Sequence, residues 1–572
     1  MEIQFQHANP RSGRESLLLR FDGLLADQTV SVLIDAGQGV SVDTLLDEDA
    51  NEYLTAICLT HAHLDHYQSL GDNLLHGAPV YAAADTATIL EDVLAVGAEH
   101  YELSKTDDVL EQLESIEGWT QIVAGLRVHP VPAGHTPGAA GFLFEATADD
   151  ERRTILVTGD FTTRRVAGYP GLDLDLPVDV DTLILTAATS EGFEATLTDA
   201  VGTICERVWA GSTVLATASG LTGLHLAYLL GHLADRWDRR LPITLAGHVA
   251  TLYNALEYTI PNVTSVPEFT APSEVVQPES VTIAGPEVPV DGSAERLFAA
   301  ITDDPGATLV QLISGGHSPV TSTTCTTHEF ALSNHPSSQT IDNVVETLSP
   351  THVVITHQQG AAANQYKDKY ASYVWATDTT DCYTLLDETG WTPPPWVTEV
   401  TTRRVLSGTN TIGSQFGESS VNREIPLPSV TRVDEVDLSA EGLDLSALRS
   451  RLSVGQTDQP LAADLSPRLN STDGHPQPTG HASSNSVSDA ESATSGDSDG
   501  ATLEKIAARL DRIEAAVTDQ GVDARVIDAG DGMVLLRLED PPNHLKHGQQ
   551  LRVTLPAERS QTNTDTSSNC DS

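Results

Sequence analysis

Residues 58–70 read CLTHAHLDHYQSL, which places three imidazoles and a carboxylate, His61, His63, Asp65 and His66, within six residues of one another. The preceding run LTAICLT is apolar and short, the pattern of a buried strand. A strand sends alternate side chains to one face, so His61 and His63 can reach one ion as the chain leaves the sheet. The turn that follows points Asp65 and His66 at a second ion. A lone histidine is usually a surface or satisfied core residue, but H-x-H-x-D-H behind an apolar strand reads as a set of metal ligands.

Up to about residue 417, strand-like runs (SVLIDAG, AICLTH, TILVTGD, TLILTAAT, TVLATASG, HVVITH) alternate with helix-like stretches such as LHLAYLLGHLADRW, which predicts an α/β class with layered sheets. From about 430 to 500 the sequence turns to Ser, Asp, Gly and Pro, too poor in large apolar residues to offset the entropy of ordering. Beyond it Leu503, Ile506, Leu510, Ile513 and Val517 form a two-heptad seam, suited either to one docked helix or to self-association. ARVIDAG, MVLLRLED and QQLRVTLP then read as three short strands, with AGDG as a hairpin turn between the first two.

The motif resembles that of the metallo-β-lactamase superfamily, and further segments extend the resemblance. LIDAG supplies Asp35 at a position behind the ligands, AGHTPG supplies His135, and ILVTGDF supplies Asp160. His129 shares a segment with His135 but lacks that context and reads as structural. The remaining histidine lies far downstream, after new α/β sequence, which resembles the β-CASP branch with its inserted cap and its nucleases of the ribonuclease J and cleavage-and-polyadenylation type. FALSNHPSSQTIDNVVETLSPTHVVITHQQG matches that branch's return motif, with His335, a helix, Pro350, a strand and His357. His317, in LISGGHSPV, is the competing candidate for the place of His335 and otherwise a residue lining the cleft.

The resemblance implies an αββα sandwich (1–190 and 326–417) with an α/β cap insert (191–325); composition and periodicity add an acidic linker (418–500), a helix and small β module (501–556) and a disordered tail (557–572). It implies two Zn2+ ions, or Mn2+, one held by His61, His63 and His135, the other by Asp65, His66 and His357, with Asp160 bridging. The implied activity is phosphodiester hydrolysis, of single-stranded RNA before DNA, by a hydroxide shared between the cations. His335 would act on the scissile phosphate or leaving group, and Arg164, Arg165, Ser333 and Asn334 are candidate substrate contacts. One departure stands out: Thr186 occupies the place of an acidic residue in DTLILTAATSEG, with Glu191 and Glu194 as candidates to compensate. The alternatives are a small-molecule ester, thioester or lactam hydrolase, a DNA-repair nuclease, or a catalytically impaired RNA-binding subunit.

The charge balance bears on partners. There are 31 basic against 81 acidic residues, a net charge of −50, and only five of the basic residues are Lys. Dispersed acid with almost no Lys suits a molar-salt cytoplasm, where the Debye length of about 3 Å screens self-repulsion. Counterion release contributes little to nucleic-acid binding in such salt. An acidic surface therefore leaves RNA or DNA open as a partner, held in a local neutral or basic groove. With no 18-residue apolar run and no secretory pattern, the expectation is a soluble, cytoplasmic protein without a membrane partner. Five cysteines without a C-x-x-C pair predict buried free thiols.

Overall fold

The computed structural model describes residues 1–452 apart from 11, 12, 14, 48, 49, 150, 378 and 413–425, together with the strands Ala524–Asp528 and Val534–Leu538. Residues 1–460 make one compact unit and 461–572 another.

Two mixed sheets face each other in the first unit. One runs Gly390–Trp391, Tyr383–Asp387, Glu2–His7, Leu17–Leu25, Gln28–Ile34, Glu52–Leu59, Val80–Ala83 and Leu113–Ile116 in spatial order. The other runs Tyr373–Trp375, His352–Thr356, Thr182–Thr186, Glu151–Val157, Ala140–Ala148, Leu126–Pro132 and Thr120–Val123. The period-2 alternation of strands divides their side chains between two cores. Leu17, Leu19, Phe21, Val32 and Ile34 meet Phe142, Phe144, Ile155, Val157 and Val354 between the sheets. Leu18 and Leu33 instead face outward onto Ile89, Leu90 and Val93 of helix Ala84–His100. On the far side Val353 and Ile355 pack on Ile341, Val344 and Val345 of helix Ser338–Leu348. The result is helix, sheet, sheet, helix, the layering expected from the sequence.

A third sheet is wholly parallel, in the order Val263–Val266, Ile243–Ala246, Ser280–Ala284, Thr213–Thr217, Ala307–Ile313 and Thr326–Ala331. Helices Phe193–Trp209, Gly220–Arg236, His248–Ala255 and Gly292–Ala299 belong to the same insert. Its last strand lies beyond the boundary at 325 expected from the sequence. TTHEFA pairs with Ala307–Ile313, Val310 opposite His328, as an edge strand whose side chains are half-buried or exposed, so its apolar signal is weak. The chain then returns to the core, and His352–Thr356 lies parallel to Thr182–Thr186 with Ile184 opposite Val354.

The linker expected over 418–500 is also corrected. Within it, VDLSAEGLDLSALRSRL contains helix Leu445–Arg451, and Leu438, Leu443 and Leu448 are buried among cap residues such as Leu197 and Val201. Over 430–452, five leucines interleaved with five acids suffice, because the cap surface receives them. The heptad helix at 503–517, the segment QQLRVTLP and the tail 557–572 lie outside the described residues. The two described strands of the second unit pair antiparallel, Val526 opposite Leu536, as the hairpin reading requires. Cys58, Cys205 and Cys325 are buried free thiols, whereas Cys382 is exposed. Among the described residues no helix is long and apolar enough to cross a membrane.

Candidate metal centre

The ligand-type residues sit just past the C-terminal ends of core strands. Asp35 follows Gln28–Ile34, His61 follows Glu52–Leu59, and His135 follows Leu126–Pro132. Asp160 follows Glu151–Val157 and His357 follows His352–Thr356, while the one-turn helix Leu64–Tyr67 carries Asp65 and His66. Turning side chains inward at such points takes unusual backbone. Asp35 and His357 adopt φ of 54° and 58°, and Gly159 takes 56° beside Asp160. Left-handed conformations of this kind cluster at functional sites because the surrounding contacts must hold them.

Three ring nitrogens converge on one point. His61 Nε2 lies 3.0 Å from His63 Nδ1, which lies 3.2 Å from His135 Nε2. Burial, then the neighbouring His66 and His63, hold His61 well below the usual histidine range, and burial with His135 beside it pulls His63 down to about 3. Burial lowers His135 as well. Three rings whose nitrogens lie this close, with protonation disfavoured on each, make a donor set that a cation can share. Beside them His66 Nε2 lies 3.4 Å from Asp160 Oδ2, and His357 Nδ1 lies 3.0 Å from Asp160 Oδ1. Asp65, its side chain 54% exposed, comes within 3.8 Å of His66 Nε2. The groups His61–His63–His135, His61–His66–Asp160 and His135–Asp160–His335 each bring their donor atoms within 4.8 Å of one another.

The rings are oriented from behind. Asp35 Oδ2 faces His66 Nδ1 at 2.8 Å, and the same carboxylate accepts from Thr60 N and Thr60 Oγ1, both at 2.8 Å. With Nδ1 taken, His66 Nε2 is buried without a hydrogen-bond partner. That orphaned nitrogen, aimed at Asp160, fits a divalent cation with nitrogen and oxygen ligands. Burial works against charge on His66, but Asp35, Asp65 and Asp160 outweigh it and raise its pKa well above the ordinary value. Burial likewise opposes ionisation of Asp160, and His357, His335 and His66 overcome it, holding the carboxyl well below its usual range. His135 Nδ1 donates to the main-chain oxygen of Asn334 at 2.8 Å.

The other residues singled out in the sequence divide. His335 joins the cluster, its ring stacked on His135 at 4.9 Å and its Nδ1 4.0 Å from Asp160 Oδ2. Burial lowers it to about 4. His317 lies on the exposed stretch after Ala307–Ile313 and is in none of these donor groups, and His129 is a buried strand residue facing Trp119. Asn334 and Arg164, read as substrate contacts, are brackets within the fold. Asn334 Nδ2 donates to His135 O at 2.7 Å and Gly134 O at 3.2 Å, and Arg164 Nη2 donates to Asn334 Oδ1 and His335 O, both at 3.0 Å. Arg165 Nη1 donates to Glu435 O at 3.1 Å, and Ser333 O accepts from His335 N at 2.9 Å.

Thr186 is buried, its Oγ1 3.4 Å from Thr356 Oγ1 on the adjacent strand. Neither candidate acid fills its place. Glu191 accepts from Ser338 N at 2.8 Å at the start of a helix, and Glu194 lies 3.8 Å from Arg164 Nη1. Sequence reasoning passed over Glu15, a buried carboxyl bonded by Asn9 Nδ2 and pushed up to about 7 by burial. Nothing in the loop-like NPRSGRES marks it.

Residues 21–195 match the family model described as the metallo-beta-lactamase superfamily, so the chain carries a metallo-β-lactamase domain. It is 30% identical over 219 residues to "Ribonuclease TTHA0252" of Thermus thermophilus, covering 35% of this chain and 49% of that protein. It is 27% identical over 181 residues to "Endoribonuclease YSH1" of Mycosarcoma maydis, covering 28% and 20%. It is 30% identical over 106 residues to "DNA cross-link repair protein pso2/snm1" of Schizosaccharomyces pombe, covering 18% and 17%. These matches are consistent with the β-CASP branch. The chain spans half or less of the length of each of these relatives.

Proposed function

We propose that the chain is a divalent-metal-dependent nuclease of the β-CASP type that hydrolyses phosphodiester bonds of single-stranded RNA, in mRNA processing or decay. The observation that supports it is the convergence of His61, His63 and His135 beside His66, Asp160 and His357, on a core into which a parallel-sheet insert is spliced. RNA is favoured over DNA because two of the three relatives carry ribonuclease names.

In this reading His61, His63 and His135 would hold one ion and Asp65, His66 and His357 the other, with Asp160 serving as a shared ligand. Zinc suits a set in which nitrogen donors dominate, with manganese the second choice. Two such ions supply a water of lowered pKa and positive charge for the phosphoryl oxygens. The chain's own part is positional. Asp35 fixes the ring of His66, and Asn334 O fixes that of His135. His335, held neutral near pH 7 by burial, presents an N–H to the scissile phosphate or to the leaving oxygen. The buried Thr186 favours one second reading, an impaired RNA-binding subunit, since no acid stands at that strand end.

The test is to purify the protein in about 1 M KCl, a salt level at which the −50 charge is screened. Bound metal is then measured, and labelled single-stranded RNA and DNA with 5′-phosphate or 5′-hydroxyl ends are offered. Two bound ions with cleavage of RNA is the expected result. Two bound ions without cleavage of either polymer overturns the nuclease reading in favour of the impaired subunit or a small-ester hydrolase.

A further inference from the structure

Residues 430–452 form a strap laid across the loop that follows Asp160 and onto the cap. Val433 N donates to Gly168 O at 2.9 Å and Arg165 N to Ala440 O at 2.9 Å. Arg432 Nη2 donates to Leu256 O of the cap at 2.7 Å. At the far end Arg451 Nη2 pairs with Glu206 of helix Phe193–Trp209 at 2.8 Å.

Glu441 is the centre of this strap and is fully buried. Its carboxylate accepts from Ala167 N at 2.7 Å and from Gly168 N at 2.8 Å, and lies 2.9 Å from His225 Nε2 of the cap. Ala167 and Gly168 take φ of 49° and 89°, so two consecutive left-handed residues aim their N–H groups at one anion. A non-glycine residue in that conformation persists only where its neighbours over-determine it. The next strap residue, Gly442, has φ of 100°, and a Cβ there would stand 3.3 Å from Arg164 Cδ. Arg164 is thus flanked by the strap and lies over the Phe193 ring at 4.4 Å, while its Nη2 reaches Asn334 and His335.

We infer that Glu441 is a positioning residue for the metal centre: it holds the 164–168 loop so that Arg164 props the Asn334–His335 corner. That corner in turn fixes the ring of His135 through Asn334 O. The effect on turnover rests on the nuclease reading; the mechanical link does not.

The full chain is compared with Glu441→Ala, Glu441→Gln, Arg164→Ala and the Glu441→Ala/Arg164→Ala double variant. Misplacing a supporting shell costs rate more than binding, so Glu441→Ala is expected to lower kcat by about 10- to 100-fold, with KM and bound metal nearly unchanged. Glu441→Gln, which keeps one acceptor for the two N–H groups, falls between. The double variant should be no worse than the poorer single variant, as members of one chain of contacts are non-additive. Amide exchange over 333–340 should quicken in Glu441→Ala together with that over 162–172. Wild-type kcat in Glu441→Ala, multiplicative losses in the double variant, or unchanged exchange over 333–340 each overturn the inference. If the wild-type chain cuts no nucleic acid, the nuclease reading falls, and the exchange over 333–340 still decides the strap.

Discussion

Asp35 and His66 stand 31 residues apart and meet at 2.8 Å through Oδ2 and Nδ1, both side chains 1% exposed. This contact leaves His66 only its Nε2 to offer a cation. Carboxylates behind a ligating imidazole fix its tautomer and raise its basicity. Asp35→Asn is therefore expected to weaken divalent-metal affinity by about 10- to 100-fold, read by competition with a chromogenic chelator. Unchanged affinity would show that Thr60, not His66, is what Asp35 serves.

His335 touches the ligand group, its Nδ1 4.0 Å from Asp160 Oδ2, but stands outside the proposed ligand set of His61, His63, Asp65, His66, His135, Asp160 and His357. His335→Ala should keep both ions and lose about 100-fold or more in kcat, the scale of a missing hydrogen-bond donor to the reacting phosphate. Loss of metal in this variant would reassign His335 as a ligand.

Gly159 has φ of 56°, and a Cβ there would lie 2.8 Å from the Thr60 side chain. Thr60 is also what donates twice to Asp35. Gly159→Ala should cost about 1–3 kcal/mol of stability by thermal unfolding, and should loosen metal binding as Thr60 gives way. A variant with wild-type Tm and affinity would mean the backbone relaxes freely there.

His352 is remote from the centre, fully buried, and accepts from Trp375 Nε1 at 2.9 Å; burial pushes it down to about 3 from an ordinary 6.5. The unfolded chain thus takes up this proton near pH 6.5 and the folded chain does not. Its contribution to stability is complete above 6.5 and is lost as pH falls toward 3, at about 1.4 kcal/mol per unit. His352→Gln keeps an acceptor for Trp375 and cannot titrate, so its stability should decline less steeply between pH 6 and 4 (roughly, from the same linkage). Parallel curves for the two proteins would contradict this.

The cluster His61–His66 was legible because four ligand-type residues fall within six positions and an apolar strand delivers them together. Asp160 and His357 were legible for a related reason, each ending an apolar run. The brackets were not. Asn334 and His135 are 199 positions apart, and nothing local distinguishes an asparagine that will grip a loop from one that will face solvent. Arg164 reads as a free cation beside an acid, and only the cap and strap bury it to 14% exposure. The strap itself was hidden by composition, since its acids are as many as its leucines and Glu441 looks like any other surface acid until its two N–H partners are placed.

The parallel pairing of Thr182–Thr186 with His352–Thr356 has a consequence in time. His357 is delivered by a strand made only after the whole cap has been translated. At about 5–20 residues per second, the 170 positions separating the two strands take roughly 10 to 30 s to synthesise. Through that interval the nascent chain already displays His61 to Asp160 but lacks the residue that closes the set. On a ribosome such a chain lacks its full set of ligand-type residues until His357 has been made, and the strap at 430–452 follows later still.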